Sequence, residues 1–550
     1  MTLKRPIPKI APFCLIACTF LVLALCKSVV LSTTTYEKSK VQEACEGFQC
    51  LHNYVHTPDP AYKYSDTGRR ISEKQWTGYI LNMTSQTWLT KHDSDRSVWW
   101  HILVVIIPKK IQHTDFGFLW ITGGDNKNGG GGGYDGKNED IIVAAYQAVH
   151  NGIVAAALFQ VPNQPVLFKT DPIQKQRSED ATIAFTWNHF IEDPTDPNWL
   201  LRFPMTKAAV RAFDTVQNFV PSIDKSLQLT SYGVGGASKR GWTTWTTAAA
   251  DNTRVKMMAP VVLDELNMIK NLHHHYRAYA GGWSWALQDY TALNFTKHLD
   301  DPNTLSMAKI IDAYWFADRL EGIAKIVMNA GMDEFLLPDD TTFWWSNMSE
   351  PKHFLITPNS DHSQATGILE LLPAMSTYVR SVLKNATVPQ MTWTIDEVTG
   401  EITMKTNKEP IAVDMWYAHS CNSKRRDFRL LNLDKPCECG VVAKGLCLNL
   451  KIFWSRERLV EVAPLTYKAS RAPLSDGRWT AFFINAQFEG PKPEHDIEEI
   501  DLTKAMKNRR RLGWPVGVDG WYDFTTSVSI VPRTFPSPDC HGAACEGHLV

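Results

Sequence analysis

The chain has 550 residues, 44% hydrophobic and 21% charged, with 20 Trp, 24 Phe and 16 Tyr. This composition excludes a disordered, collagen-like or coiled-coil protein, and the length suggests roughly two to four domains. Lys+Arg is 57 against 58 for Asp+Glu, a formal net charge of -1. That balance gives no electrostatic footprint for nucleic acid, and the basic run Arg509-Arg510-Arg511 reads as a solvated turn.

At the N-terminus, Lys4, Arg5 and Lys9 precede an uncharged stretch from Ile10 to Cys26, closed by Lys27. Residues 1–26 read as a signal peptide, with small residues at Ala24-Leu25-Cys26 for cleavage, or as an uncleaved signal anchor if Val29-Val30-Leu31 extends the apolar run. The first reading makes a secreted protein. The second makes a type II membrane protein with its bulk lumenal or extracellular, and only then is a membrane a partner. Residues 27–55 are an extension that carries Cys45 and Cys50.

Residues 56–384 alternate strand and helix. Apolar runs at Val98 to Pro108, Phe116 to Ile121 and Ile153 to Val161 predict buried strands, with a helix at Ile141 to His150 stopped by Asn151-Gly152. Five consecutive glycines, Gly129 to Gly133, read as a flexible insertion, since no Lys-Ser/Thr follows them as in a phosphate loop. Thr206 to Val220 has helical periodicity. A strand at Leu227 to Val234, a helix at Lys239 to Ala250, and strands at Val255 to Leu263, Ala324 to Asn329 and His353 to Thr357 follow. Strands spaced by helices need crossover connections, so the fold class is α/β with a mostly parallel central sheet flanked by helices. Beyond about residue 388 the texture becomes short alternating runs. These are Met391 to Val398, Glu401 to Lys405, Ile411 to Tyr417, Leu448 to Trp454, Leu459 to Val462, Trp479 to Gln487 and Thr526 to Val531, with a hairpin signal at Thr399-Gly400. They predict a β-sandwich-like domain over 389–535, then a cysteine-containing tail over 536–550.

Eight cysteines lie beyond the targeting segment: Cys45, Cys50, Cys421, Cys437, Cys439, Cys447, Cys540 and Cys545. An even number clustered at the two ends suits disulfides in an oxidising compartment. Cys45 is expected to pair with Cys50 or a C-terminal cysteine, and the 421–447 cluster within itself. Zinc is the weaker reading of that cluster, because Cys437 and Cys439 are too closely spaced for an ordinary zinc knuckle. Asn82, Asn294, Asn347 and Asn385 open glycosylation sequons.

The chemistry concentrates in Ser238, Asp333 and His362. Gly235-Gly236-Ala237-Ser238 joins a strand to a helix, the layout of a nucleophile elbow, although Arg240 stands where the generic pattern has glycine and Gly241 comes one step late. A Gly-Ser turn that merely caps a helix is the alternative. An acid and then a histidine follow in chain order, each after a later strand, as a Ser-His-acid hydrolase on this scaffold needs. Glu334, Asp339 and Asp361 rival Asp333 as the acid. Lys239, the residue after the nucleophile, and Gly123-Gly124 at a strand end are candidate oxyanion-hole donors. No cofactor or metal is expected: three adjacent histidines, His273-His274-His275, point different ways from a helix and cannot share one ion. Trp242, Trp245, Trp283, Trp285, Trp344 and Trp345 are candidates for a substrate cleft, with core packing the default.

Gly236-Ala237-Ser238-Lys239-Arg240-Gly241-Trp242, Asn329-Ala330-Gly331-Met332-Asp333-Glu334-Phe335 and Pro358-Asn359-Ser360-Asp361-His362-Ser363 resemble the PhoPQ-activated pathogenicity-related family, which includes proteins named autocrine proliferation repressors. Pro204-Met205-Thr206-Lys207 and His274-His275-Tyr276-Arg277 extend the match. Lys-Arg-Gly after the serine is the form usual in that family. The resemblance implies an α/β-hydrolase fold related to the prolyl-oligopeptidase-type dipeptidyl peptidases, with a β-rich C-terminal domain. Two functional classes stay open: a secreted or surface serine hydrolase, peptidase or esterase-like, acting on a small-molecule or peptide substrate; or a secreted signalling protein that keeps the scaffold, dispenses with catalysis and has a cell-surface receptor as its partner.

Overall fold

The computed structural model describes residues 45–127, 133–493 and 517–550. The targeting segment, most of the glycine run and Arg509–Arg511 lie outside these residues. Nine strands form the principal sheet: β1 Lys63–Ser72, β2 Trp76–Thr87, β3 Val98–Pro108, β4 Phe116–Ile121, β5 Val154–Leu158, β6 Ser231–Ala237, β7 Val255–Val261, β8 Ala324–Ala330 and β9 Lys352–Thr357. Their order is β1-β2-β3-β5-β4-β6-β7-β8-β9. The pairings from β5 through β4 to β9 are all parallel, and β1, β2 and β3 add an antiparallel edge.

Every residue of β4 and β5 is buried, as expected of strands covered on both faces. Helices Glu139–Asn151 and Ile368–Leu383 pack together on the sheet, as do Arg202–Phe219 and Lys239–Ala250. The first of these starts at Asn138, whose side chain accepts from the N–H groups of Asp140 and Ile141. It ends at Gly152 in the left-handed region (φ 60°), where a side chain would be strained.

Beyond helix Ile368–Leu383 the chain forms antiparallel sheets. The Thr399-Gly400 turn joins strands Met391–Ile395 and Ile402–Thr406, as its residues predict. Strand Ala412–His419 pairs with Thr480–Glu489, and Trp521–Thr525 pairs with the latter's other edge. Two expected strands are displaced: Leu446–Leu448 and Ser455–Arg458 are the paired segments, and Leu459 to Val462 belongs to none. Val413, Ile484 and Phe524 share one apolar core with Leu371 and Met375 of helix Ile368–Leu383, so the β-rich part is built onto the α/β part.

The cysteines agree with an oxidised framework. Cys421 pairs with Cys439, Cys437 with Cys447, and Cys540 with Cys545; Cys45 and Cys50 are also disulfide-bonded. The Cys540–Cys545 pairing leaves no C-terminal cysteine for Cys45. Among the described residues no helix is long and apolar enough to cross a membrane. The asparagines of all four sequons are exposed.

Candidate active site

Ser238 ends the turn between β6 and helix Lys239–Ala250, with φ 57° and ψ -128°. A non-glycine residue rarely holds this backbone, which turns the side chain outward at the sheet edge. Its neighbours explain the glycines. A Cβ on Gly236 would stand 2.9 Å from both the Ile121 and Arg240 carbonyl oxygens, and one on Gly241 would stand 2.9 Å from the Val261 oxygen. Gly241, not position 240, faces the next strand, so the late glycine of the sequence pattern is where the packing needs it. The Arg240 side chain instead donates to the Val161 carbonyl and to Glu179, both at 2.6 Å, and runs under Gly123.

The loops after β8 and β9 complete the arrangement. His362 Nε2 lies 2.8 Å from Ser238 Oγ, and its Nδ1 lies 2.8 Å from both carboxylate oxygens of Asp333. Asp333 is buried, and its Oδ1 also accepts from the N–H groups of Phe335 (2.7 Å) and Leu336 (3.1 Å). The rival acids go elsewhere. Glu334 accepts from the backbone N–H of His362 at 3.1 Å, Asp339 holds His274 and Arg426, and Asp361 accepts from the Ser363 hydroxyl.

Trp454, from the β-rich part, ties both loops down. Its ring N–H donates to Gly331 O (2.9 Å) and its backbone N–H to Asn359 Oδ1 (2.6 Å), while Asn359 returns a bond to its carbonyl (3.0 Å). Nothing in the sequence pattern marked this residue.

A cleft opens in front of Ser238 and His362. Trp187, Trp242, Met268, Leu272, Tyr290 and Phe295 are among its apolar walls. The Trp187 ring centroid lies 5.6 Å from that of Trp242, edge to face, and 5.2 Å and 4.9 Å from those of Tyr290 and Phe295, both tilted. Of the six tryptophans singled out by sequence, only Trp242 lines this cleft. Trp245, Trp283 and Trp344 are core residues, the Trp285 ring bonds Leu431 O, and Trp345 packs on Trp393. Lys239 puts its side chain between Glu179 (3.1 Å) and Asp180 (3.0 Å). Burial opposes charge on Glu179, but Arg240 and Lys239 outweigh it and hold that carboxyl down at about 2.

The cleft also holds an acid that lies outside every sequence motif. Glu265 lines it and has no hydrogen bond or ion pair among the described residues. Burial, then Asp264, Asp312 and Asp333, push its carboxyl up to about 8. Glu334, buried beside Asp333, is likewise raised to about 8. Gly123 and Gly124 follow β4; the Gly123 N–H donates to Thr122 Oγ1 (2.7 Å), and Gly124 has φ 104°. The Lys239 N–H, at the first turn of its helix, is one of the amides that a helix leaves without an internal partner.

The parallel sheet, the strained serine turn at the end of β6, and an aspartate and a histidine on the loops after β8 and β9 define an α/β-hydrolase fold. The chain belongs to the PhoPQ-activated pathogenicity-related protein family, whose model matches residues 51–429. It is 33% identical over 499 residues to autocrine proliferation repressor protein A of Dictyostelium discoideum, covering 89% of this chain and 92% of that protein. Similar solved structures include an acetyl xylan esterase from Paenibacillus sp. R4 (14% identity, TM-score 0.40, 57% of this chain and 87% of that one). A glucuronoyl esterase from Solibacter usitatus is another (13% identity, TM-score 0.34, 57% and 86%).

Proposed function

We propose that the protein is a secreted serine hydrolase that cleaves an ester or amide through an acyl-Ser238 intermediate. The observation that carries this reading is the pair of 2.8 Å contacts that join Ser238 to His362 and His362 to Asp333 at the mouth of an apolar cleft. In the first half-reaction His362 Nε2 takes the hydroxyl proton of Ser238 as Oγ bonds to the acyl carbon. The leaving alcohol or amine receives that proton as its bond to the acyl carbon breaks. Water then repeats the sequence and releases the acid. Asp333 accepts a hydrogen bond from the Nδ1–H of His362, which fixes the tautomer and stabilises the imidazolium. The N–H of Lys239, with that of Gly124, or of Gly123 once it releases Thr122, stabilises the oxyanion. The aromatic walls suit an apolar group on the substrate. The disulfides and the four exposed sequon asparagines support an extracellular, glycosylated protein.

The test is turnover of a panel of p-nitrophenyl esters and peptide amides by the purified protein and by Ser238→Ala. Hydrolysis of at least one substrate, abolished in Ser238→Ala, is expected. Equal turnover by the variant would remove Ser238 as the nucleophile. The name of the Dictyostelium relative favours a second reading, a secreted repressor of proliferation acting through a cell-surface receptor. In that case Ser238→Ala protein slows proliferation of responsive cells as well as wild type does.

A further inference from the structure

The three histidines of helix Met268–Ala278 leave it in three directions. His274 turns inward to Asp339 (3.0 Å), and His275 accepts from the Ser284 N–H (3.0 Å). His273 faces outward, to the segment around Cys540. Its Nδ1 lies 2.8 Å from Asp539 Oδ1 and its Nε2 lies 3.1 Å from Asp300 Oδ1. His541 brings its own Nδ1 to 3.4 Å from Asp300 Oδ2. One donor atom from each of His273, Asp300 and His541 lies within 4.8 Å of the others.

We propose that His273, Asp300 and His541 bind a divalent zinc-class ion, with Asp539 holding the His273 ring. Three observations carry this. The first is spacing: a tetrahedral ion with bonds of about 2.0–2.2 Å sets neighbouring donor atoms about 3.3–3.6 Å apart. Here His273 Nε2 is 3.1 Å from Asp300 Oδ1 and His541 Nδ1 is 3.4 Å from Asp300 Oδ2, so the two imidazoles face the two oxygens of one carboxylate. The second is the outer partner. A metal-bound histidine usually gives its other ring N–H to a carboxylate, and Asp539 stands at Nδ1 of His273, which leaves Nε2 as the ligand atom. The third is the anchoring of Asp300, whose Oδ2 also accepts the Gly542 N–H at 2.9 Å.

Two imidazoles and one carboxylate suit zinc, whereas calcium takes six to eight oxygens. The sulfurs of Cys540 and Cys545 also approach His273, but they are joined to each other and are not thiolates. Water fills the fourth position. The ligands come from three separate stretches of the chain. The ion therefore clasps the 539–546 segment to the helix whose Met268 and Leu272 wall the catalytic cleft. Lys297–Glu546 (2.9 Å) and Tyr276 to Ala544 O (3.2 Å) already link the same surfaces.

The test uses untagged, disulfide-intact protein stripped with chelator and titrated with Co²⁺, read by its visible spectrum, and with Zn²⁺ in competition. One equivalent with a tetrahedral Co²⁺ spectrum, displaced by Zn²⁺, is expected. Asp539→Asn should weaken binding about 10–100-fold, the usual effect of losing an outer carboxylate, and His541→Ala should weaken it further. The His541 side chain is 78% exposed, so its removal leaves the fold intact and the variant interpretable. Absence of stoichiometric binding by wild type, or binding unchanged in His541→Ala, would overturn the proposal.

Discussion

Replacing Asp333 with Asn tests the chemistry at one atom. Asp333 Oδ1 accepts two backbone N–H groups, from Phe335 and Leu336, so the asparagine carbonyl oxygen is held in that position. Its NH₂ group must then take the Oδ2 position, 2.8 Å from His362 Nδ1. A donor there opposes a proton on Nδ1, although the carbonyl oxygen still lies 2.8 Å from that atom, and shifts the imidazole toward the tautomer with its proton on Nε2. Nε2 then faces the Ser238 hydroxyl with a proton and cannot receive another. In comparable triads this substitution lowers kcat by about 10⁴, equivalent to about 5.5 kcal/mol of barrier. The assay is steady-state kinetics of an activated ester, with circular dichroism as the check on folding. Asp361→Asn is the control, since the Asp361 carboxylate accepts from the Ser363 hydroxyl rather than from His362 and its loss should leave most of the activity. A folded Asp333→Asn within tenfold of wild type, or an Asp361→Asn that is the more damaged of the two, would refute the tautomer argument.

Trp454→Phe deletes the ring N–H that satisfies the buried Gly331 carbonyl, so it should cost about 1–3 kcal/mol of stability by denaturant titration. Because Gly331 lies in the loop that carries Asp333, the variant should also lower kcat more than it raises KM; unchanged stability would show that the Trp454 ring does not secure this loop. Glu334 has a folded value of about 8 against an ordinary 4.5, through burial and then Asp333. The folded protein thus holds a proton that the unfolded chain releases. The associated stability is complete below 4.5 and is lost as pH rises to about 8. Glu334→Gln, which keeps an acceptor for the His362 N–H, should show a smaller fall in Tm across that window than wild type; an identical fall would mean that Glu334 is ionised throughout. Replacing Cys421 and Cys439 together by serine opens a loop of sequence separation 18 and should cost about 3 kcal/mol, read as a shift in the denaturant midpoint. A midpoint within error of wild type would show that this bridge adds no stability.

The parts of the fold legible in the sequence are those whose local pattern and tertiary role agree. Strands Val98–Pro108 and Phe116–Ile121 and helix Lys239–Ala250 are found within their expected bounds, because continuous apolar runs and a serine turn mark them directly. Strand Lys63–Ser72 is not legible because its residues are nearly all exposed, which leaves no alternation to read. Helix Asp180–Glu192 is buried on almost every face, so it has no polar stripe to reveal its period, and it supplies Trp187 to the cleft. Helix Ile368–Leu383 contains Pro373, which reads as a break. At the site, the order and spacing of Ser238, Asp333 and His362 were visible because each follows a strand. Glu265 lies in a loop outside any motif, and Trp454 reaches the site from the β-rich part, so only tertiary structure could bring them to it.

The central claim, that Ser238 is an activated nucleophile, is tested most directly by fluorophosphonate labelling and peptide mass spectrometry of the disulfide-intact protein. A single stoichiometric phosphonyl adduct on Ser238 is predicted, absent in Ser238→Ala and strongly slowed in Asp333→Asn. An adduct on a different residue, or no adduct on protein that hydrolyses an ester, would contradict it.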